Sequence, residues 1–261
     1  MDELSRFRLD DRVVLVAGGS GGIGARLCGA FAGVGAKIAV VGRSAERLEG
    51  ARHAVEQAGS EALTIAADVA EEAEADRAVA ETLDRWGRLD ALVNGVGGGA
   101  GAALHDAEVY PQKDWDWIMS LNLTSQFVMS KAAARAMIAG GHGGRILNIS
   151  SVRGQLGVRL GYSAYVAAKA AMNGLTRQHA TEWAKHGITV NAISPTFVRT
   201  PQVESLLADE SFREGLVARI PLGRIAEPDD LVGAALFFCS DASSFVTGQV
   251  LTLDGGLTAT Q

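Results

Sequence analysis

The chain has 261 residues, 48% of them apolar and 21% charged, with a formal net charge of −6. That length suits one large α/β unit with a substantial core, and the balance excludes a disordered or fibrous chain. Net negative charge without a long basic run argues against a nucleic-acid surface, so any anionic ligand has to be held by local features.

No apolar stretch approaches the ~20 residues that cross a bilayer. The N-terminal MDELSRFRLDDR lacks the apolar core of a signal peptide. Cys28 and Cys239 lie in apolar helical patterns and read as buried free thiols in a reducing compartment. The expected location is cytoplasmic, with neither membrane nor nucleic acid as partner. Glycines gather at 18–24, 95–101 and 140–144, marking tight loops rather than a linker. No composition break or repeat divides the chain, which reads as a single domain over 1–261.

The first apolar run, VVLVA (13–17), predicts a strand, and a helical pattern follows over Ile23–Val34. Between them AGGSGGIG (17–24) matches G-x-G-x-x-G at Gly19, Gly21 and Gly24, and a wider spacing at Gly18, Gly22 and Gly24. Glycines let a backbone approach a pyrophosphate closely, and a new helix presents free N–H groups and its positive dipole end. The order strand, motif, helix makes this a dinucleotide cradle; a turn that serves only packing is the plain alternative.

KIAVV (37–41) predicts the second strand, and Ala45–Ala58 the next helix. An acid at that strand's end would bind the ribose 2′-OH of NAD. Here Gly42 and Arg43 stand there, and no acid occurs before Glu46. Arg43 suits a 2′-phosphate, which favours NADP(H), with NAD as the alternative; a solvated arginine at a helix start is the plain account.

ALTIA (62–66) predicts the third strand and Glu71–Trp86 a helix. Asp68 and Val69 follow that strand, and Asp68 suits either the adenine amino group or a helix cap. DALVN (90–94) predicts the fourth strand. Asn94 and Gly95 at its end are placed against the adenosine ribose, and the glycines beyond, with His105, form a loop over the site. His105 is the one histidine placed to suggest a substrate contact, with a solvated loop residue as the plainer account. No His or Cys spacing suits a metal, so none is expected.

A long helix is expected over Lys113–Ile138, then a fifth strand, RILNI (145–149). After it come Ser150 and Ser151, then a helix over Tyr162–Lys185 that carries Tyr165 and Lys169. Positions i and i+4 share a helix face, so Tyr165 and Lys169 point together into a cleft. A free phenol with pKa about 10 is a poor base at neutral pH, and a nearby ammonium lowers it. With Ser151 holding the substrate oxygen, the three groups suit hydride transfer coupled to proton transfer. Tyr162 has Val166 at i+4 and reads as pocket wall. ITVNAI (188–193) and VLTL (250–253) predict the last strands, with a helix over Asp229–Cys239. Strands that are almost continuously apolar and alternate with helices predict an α/β, doubly wound, seven-stranded parallel sheet covered on both faces, with ligands beyond the strands' C-terminal ends.

Over nearly its whole length the sequence resembles the short-chain dehydrogenase/reductase family, a Rossmann-type fold. AGGSGGIG matches the glycine motif, with Ala17 where threonine is usual, and YVAAK (165–169) matches Tyr-x-x-x-Lys. NGVG (94–97) matches Asn-Asn-Ala-Gly in part, and SPTFVRT (194–200) carries Thr196 where glycine is usual. The C-terminal half is similar to 3-oxoacyl-carrier-protein reductases and gluconate 5-dehydrogenases. The resemblance implies Tyr165 as general acid/base, Lys169 lowering its pKa and bonding the nicotinamide ribose, Ser151 on the carbonyl or hydroxyl, and Asn122 anchoring a proton-relay water. It implies dinucleotide contacts from Gly18, Ser20, Gly22, Ile23, Gly24, Asp68, Val69, Asn94 and Gly95, and nicotinamide contacts from Pro195, Thr196, Val198 and Thr200. Substrate contacts are expected from Ser151, Arg153, Tyr162 and Phe197, in the segments 97–110, 153–162 and 197–220. Arg153, Gln155 and Arg159 suit an acidic or polyhydroxylated substrate, unless they face solvent. The function implied is an NADP(H)-linked oxidoreductase acting on a small-molecule carbonyl or secondary alcohol, in a homotetramer. An NAD-dependent sugar-acid or polyol dehydrogenase is the alternative, and a non-catalytic dinucleotide sensor would share the fold.

Overall fold

The computed structural model describes residues 3–159 and 161–260, so Leu160, inside the expected substrate segment 153–162, lies outside the described residues. Seven strands form one sheet: β1 (Val13–Ala17), β2 (Lys37–Gly42), β3 (Ala62–Ala66), β4 (Ala91–Asn94), β5 (Gly144–Ile149), β6 (Ile188–Pro195) and β7 (Val250–Leu253). Their order is β3-β2-β1-β4-β5-β6-β7, and every neighbouring pair is parallel. The order reverses direction between β1 and β4, which opens a crevice beyond their C-terminal ends.

The helices are α1 (Gly22–Gly33), α2 (Ala45–Gln57), α3 (Glu72–Trp86), α4 (Gln112–Met119), α5 (Ser125–Gly140), α6 (Ser163–Trp183), α7 (Glu204–Leu207), α8 (Glu210–Val217) and α9 (Val232–Cys239). Strand side chains alternate between faces, and β1 shows the consequence. Val14 and Val16 join one core with Leu27 and Phe31 of α1, Leu48 and Val55 of α2, and Phe238 of α9. Val13, Leu15 and Ala17 join the other, with Ala75 and Val79 of α3 and Met129 and Ala133 of α5. Both faces are thus predominantly apolar, and the polar groups open to a ligand gather at the strand ends.

Local differences from the sequence expectations have physical causes. The helix expected over 113–138 is divided by a π-helical turn, Ser120–Thr124, between α4 and α5. One extra residue per turn leaves little trace in hydrophobic periodicity. Tyr162 caps α6 rather than opening it. Ahead of α9, Pro228–Leu231 form a 3₁₀ turn fixed by a reciprocal capping box of Glu227 and Asp230. The short α7 and α8 are too brief for a periodic signal. They rest on their own apolar cluster of Leu207, Leu216, Ile220, Ile225 and Leu257, against Leu156 and Phe197. Cys28 and Cys239 are buried free thiols. Among the described residues no helix is long and apolar enough to cross a membrane.

At the opposite, N-terminal edge of the sheet sits Asp90, 6% exposed. It accepts from Val13 N at 2.9 Å, Arg88 Nε at 2.8 Å and Arg12 Nη1 at 3.2 Å. Burial alone would push its carboxyl up, but the bonds from Arg88, Val13 and Arg12 outweigh burial and hold it below the usual range. Its stabilisation is therefore present above the ordinary carboxylate value and lost as pH falls through the lower folded value. Asp90→Ala leaves the buried Val13 N–H and the Arg88 guanidinium without their partner, while Arg12 keeps only Asp241. It should cost about 2–3 kcal/mol, lowering Tm by roughly 4–12 °C at neutral pH. The difference from the parent should shrink on acidification below about pH 4. Thermal unfolding of both proteins across pH checks this, and a constant difference would remove Asp90 from that role.

Candidate active site

β1 ends at Ala17 and α1 starts at Gly22, with Gly21 as an N-cap that offers no side-chain bond. The first N–H groups of α1 are therefore open to an anion, as a helix start with its positive dipole end favours. Gly24 is where close approach demands glycine: a Cβ there would collide with the Gly18 carbonyl oxygen and stand 2.8 Å from Gly19 Cα. The turn packs on the loop after β4, with Gly95 N donating to Ala17 O at 2.8 Å and Gly18 against the Gly95 backbone. Ser20 lies against Gly42, and Ile23 packs on the core below. Thr200 lies over Gly22, so the segment after β6 reaches the same cradle. A backbone cradle of this shape fits a dinucleotide pyrophosphate.

Arg43 stands exposed just after β2 with no ion pair among the described residues. Arg47, which the sequence reading passed over, is likewise exposed and unpaired, and its spacing of four from Arg43 was the available signal. Asp68 is exposed, and its Oδ1 accepts from Ala70 N at 3.1 Å, so it closes its own turn; Val69 beside it is buried. Asn94 ends β4 with its side chain turned inward. That amide is wholly buried and donates to Ser130 Oγ at 2.8 Å and Asn148 Oδ1 at 2.9 Å, committed to the interior between β4, β5 and α5. Pro195 ends β6, Thr196 N donates to Leu253 O at 3.3 Å, and Val198 is buried in a bridge to Ala226. The Phe197 ring meets Phe212 edge to face at 5.7 Å, which joins it to the small cluster under α7 and α8.

Beyond β5 the structure brings Ser151, Tyr165 and Lys169 together. Ser151 caps a 3₁₀ turn over Val152–Gly154, its Oγ accepting from Arg153 N at 3.1 Å. The Ser151 hydroxyl lies by the Tyr165 phenol and favours its ionised form. Lys169, one turn along α6, is 3% exposed; its Nζ donates to Ile149 O at 2.9 Å and lies over the Tyr165 ring, 5.7 Å from the centroid. Gly97 is the second position that requires glycine, because a Cβ there would stand 2.9 Å from Asn122 Oδ1 and 3.2 Å from Lys169 Nζ. Asn122, carried by the π turn, grips Gly98 at both ends: its Oδ1 accepts from Gly98 N at 2.8 Å and its Nδ2 donates to Gly98 O at 3.0 Å. Its side chain thus shapes the loop after β4. Tyr162 meets the Tyr165 ring edge to face at 6.2 Å. His105 Nε2 lies 2.6 Å from Asp114 Oδ2, so it is paired rather than simply solvated.

The electrostatics differ from the sequence expectation. Burial raises the Tyr165 phenol above its usual value; the Ser151 hydroxyl and the Arg153 charge pull the other way, and Tyr162 adds to the rise. The cation that eases Tyr165 ionisation here is Arg153, because Lys169 faces the ring and the Ile149 carbonyl. Burial brings Lys169 itself down to about 8. Arg153, expected to be either a substrate group or solvated, is buried. Among the described residues no His, Cys, Asp and Glu group could hold a metal.

A dinucleotide cradle joined to a Ser–Tyr–Lys cleft at the switch point defines a pyridine-nucleotide oxidoreductase built on a doubly wound sheet. The chain belongs to the short-chain dehydrogenase/reductase family, whose members act on alcohol and carbonyl groups. Residues 17–258 match the family described as Enoyl-(Acyl carrier protein) reductase. The chain is 41% identical over 252 residues to gluconate 5-dehydrogenase of Gluconobacter oxydans (strain 621H), spanning 97% of this chain and 96% of that protein. It is 39% identical over 260 residues to 2-dehydro-3-deoxy-D-gluconate 5-dehydrogenase of Escherichia coli (strain K12), spanning 97% and 98%. The crystal structure of a gluconate 5-dehydrogenase from Burkholderia cenocepacia J2315 in complex with NADP and tartrate superposes with a TM-score of 0.90 at 38% identity, covering 99% of each chain.

Buried Lys169 makes stability pH-dependent. Below about pH 8 folded and unfolded chains both carry its charge, and folding bears the cost of burying it. Between about 8 and 10.5 the folded chain has released the proton while the unfolded chain keeps it, so stability rises with pH. Denaturant unfolding from pH 7 to 10.5 should contain a rise of about 3 kcal/mol that Lys169→Met lacks. Parallel pH curves for the two proteins would show that this ammonium is solvated.

Proposed function

We propose that the chain moves a hydride between NADP(H) and a secondary alcohol or its carbonyl, with Tyr165 as the general acid/base. The observation that carries this reading is the convergence of Ser151, Tyr165 and the buried Lys169, whose Nζ lies 5.7 Å from the Tyr165 ring centroid. When bound, the nicotinamide supplies or accepts the hydride. Ser151 Oγ and Tyr165 Oη converge, so one oxygen of the substrate can be held by both. In reduction Tyr165 gives its proton to that oxygen; in oxidation it takes the proton back, and its environment must then favour the phenolate. Arg153 supplies positive charge towards that state, and Lys169 is placed to bond the nicotinamide ribose. The open N–H groups of α1 would hold the pyrophosphate, and Arg43, with Arg47 beside it, the 2′-phosphate.

The NADP named in the Burkholderia cenocepacia complex supports this choice of cofactor. The relatives' names favour a second reading of the substrate side, a sugar-acid or polyol dehydrogenase, and the tartrate of that complex is itself an acid. An NAD-linked form of that reading would need no 2′-phosphate contact at Arg43. The apolar side chains that α5 leaves exposed, Phe127 and Ile138, support pairing of subunits in a homotetramer.

Tyr165→Phe should lower turnover at least about 10³-fold while the NADPH dissociation constant stays within about threefold. Stopped-flow turnover and fluorescence titration check the two halves, and substantial residual turnover would remove Tyr165 from its role. Arg43→Asp should weaken NADPH by more than tenfold, equivalent to about 1.4 kcal/mol, and leave NADH nearly unchanged. Equal loss of both cofactors in the same titration would sink the 2′-phosphate contact.

A further inference from the structure

Arg153 is the only arginine among the described residues that is buried, at 9% exposure. It is also without an ion pair there, although less buried arginines have them: Arg12 and Arg88 on Asp90, and Arg145 on Asp241. The hydrogen bond of its guanidinium runs from Nη1 to the carbonyl of Gly157 at 3.2 Å. A guanidinium has five N–H donors, so most of this one's hydrogen-bonding capacity remains unused. A charge withdrawn from water and left unpaired is costly, and such groups are normally neutralised by a partner.

The position of Arg153 says where the partner would come from. It lies two residues after Ser151, on the 3₁₀ turn whose cap is the Ser151 hydroxyl. Its charge acts on both Tyr162 and Tyr165, so it belongs to the reacting cleft. The neighbouring cation is Arg219, whose charge opposes that of Arg153. Arg219 is exposed, lies between Leu216 and Ile220 of the cluster under α7 and α8, and also has no ion pair among the described residues. Two cations from distant parts of the chain thus repel each other, and neither has an ion pair among the described residues.

We propose that Arg153 and Arg219 form a two-guanidinium seat for a carboxylate carried by the substrate, one wall from β5 and the other from the α8 segment. A planar carboxylate matches the guanidinium fork and can accept from both groups at once. Seated there, it would relieve the burial of Arg153 and fix the distance from the acid group to the carbon that reacts beside Tyr165. Arg153 then selects hydroxy or oxo acids over neutral polyols of the same length. This inference rests on the reading of the Ser151–Tyr165–Lys169 cleft as the reaction site.

The test is binding to the NADP⁺-loaded enzyme, followed by intrinsic fluorescence or calorimetry. The probes are D-gluconate against D-glucitol and L-tartrate against L-threitol, each pair differing in carboxylate against CH₂OH. At least one acid should bind tenfold or more tightly than its alcohol. Arg153→Gln should abolish that preference, Arg153→Lys should keep part of it, and Arg219→Gln should weaken it severalfold. NADPH titration of each variant reports whether the cofactor site has kept its shape. Should Arg153→Gln fail to fold, the exposed Arg219→Gln carries the test. Acid and alcohol bound alike, or an acid preference untouched in both glutamine variants, overturns the seat. Loss of NADPH binding in the parent protein would instead overturn the cofactor reading.

Discussion

A buried ammonium is the constraint on which the cleft depends. Lys169 lies in the interior, and an unpartnered charge there is not tolerated, so its surroundings are built to receive it. The Ile149 carbonyl at the end of β5 accepts a hydrogen bond from it. Gly97, lacking a Cβ, lets the loop after β4 come close, and the π turn brings Asn122 to grip the next residue of that loop. One cation thus joins β5, α6, the β4 loop and the α4–α5 junction. Tyr165 stands above it because a helix turn separates the two residues.

The parallel sheet divides the molecule by function. Apolar cores on both faces leave the strand ends for the polar groups that can meet a ligand. At the C-terminal ends lie the glycine turn, Arg43, Ser151 and the segment after β6. At the N-terminal edge lies Asp90 with Arg12 and Arg88, an arrangement that holds the sheet together and has no substrate-facing counterpart. Asn94 marks the boundary: it sits at a strand's C-terminal end, yet its amide turns inward to Asn148 and Ser130.

Charge follows the same division. The protein as a whole is negative, at −6, yet Arg43, Arg47, Arg153, Lys169 and Arg219 have no acidic ion-pair partner among the described residues. Local focusing of positive potential within an acidic protein favours anionic ligands there while the rest of the surface stays unattractive to polyanions. Both the phosphates of a dinucleotide and an acid group on a substrate would profit from that field.

The seven strands, the strand–glycine–helix order and the Tyr165–Lys169 spacing were legible in the sequence because each depends on neighbours within a turn or two. Alternating burial, β-branched runs and i, i+4 spacing are local signals, and a sheet covered on both faces follows from them. What only the tertiary structure decided depends on residues far apart in the chain. The π turn exists where Asn122 meets Gly98. The Tyr165 phenol is raised because the whole cleft buries it, and it is eased by Arg153 rather than by Lys169. Arg153 could have faced water as far as its own neighbours show. Its burial is set by how β5, α6 and the α7–α8 segment close around it, and solvation of a charge is a property of that enclosure rather than of the residue.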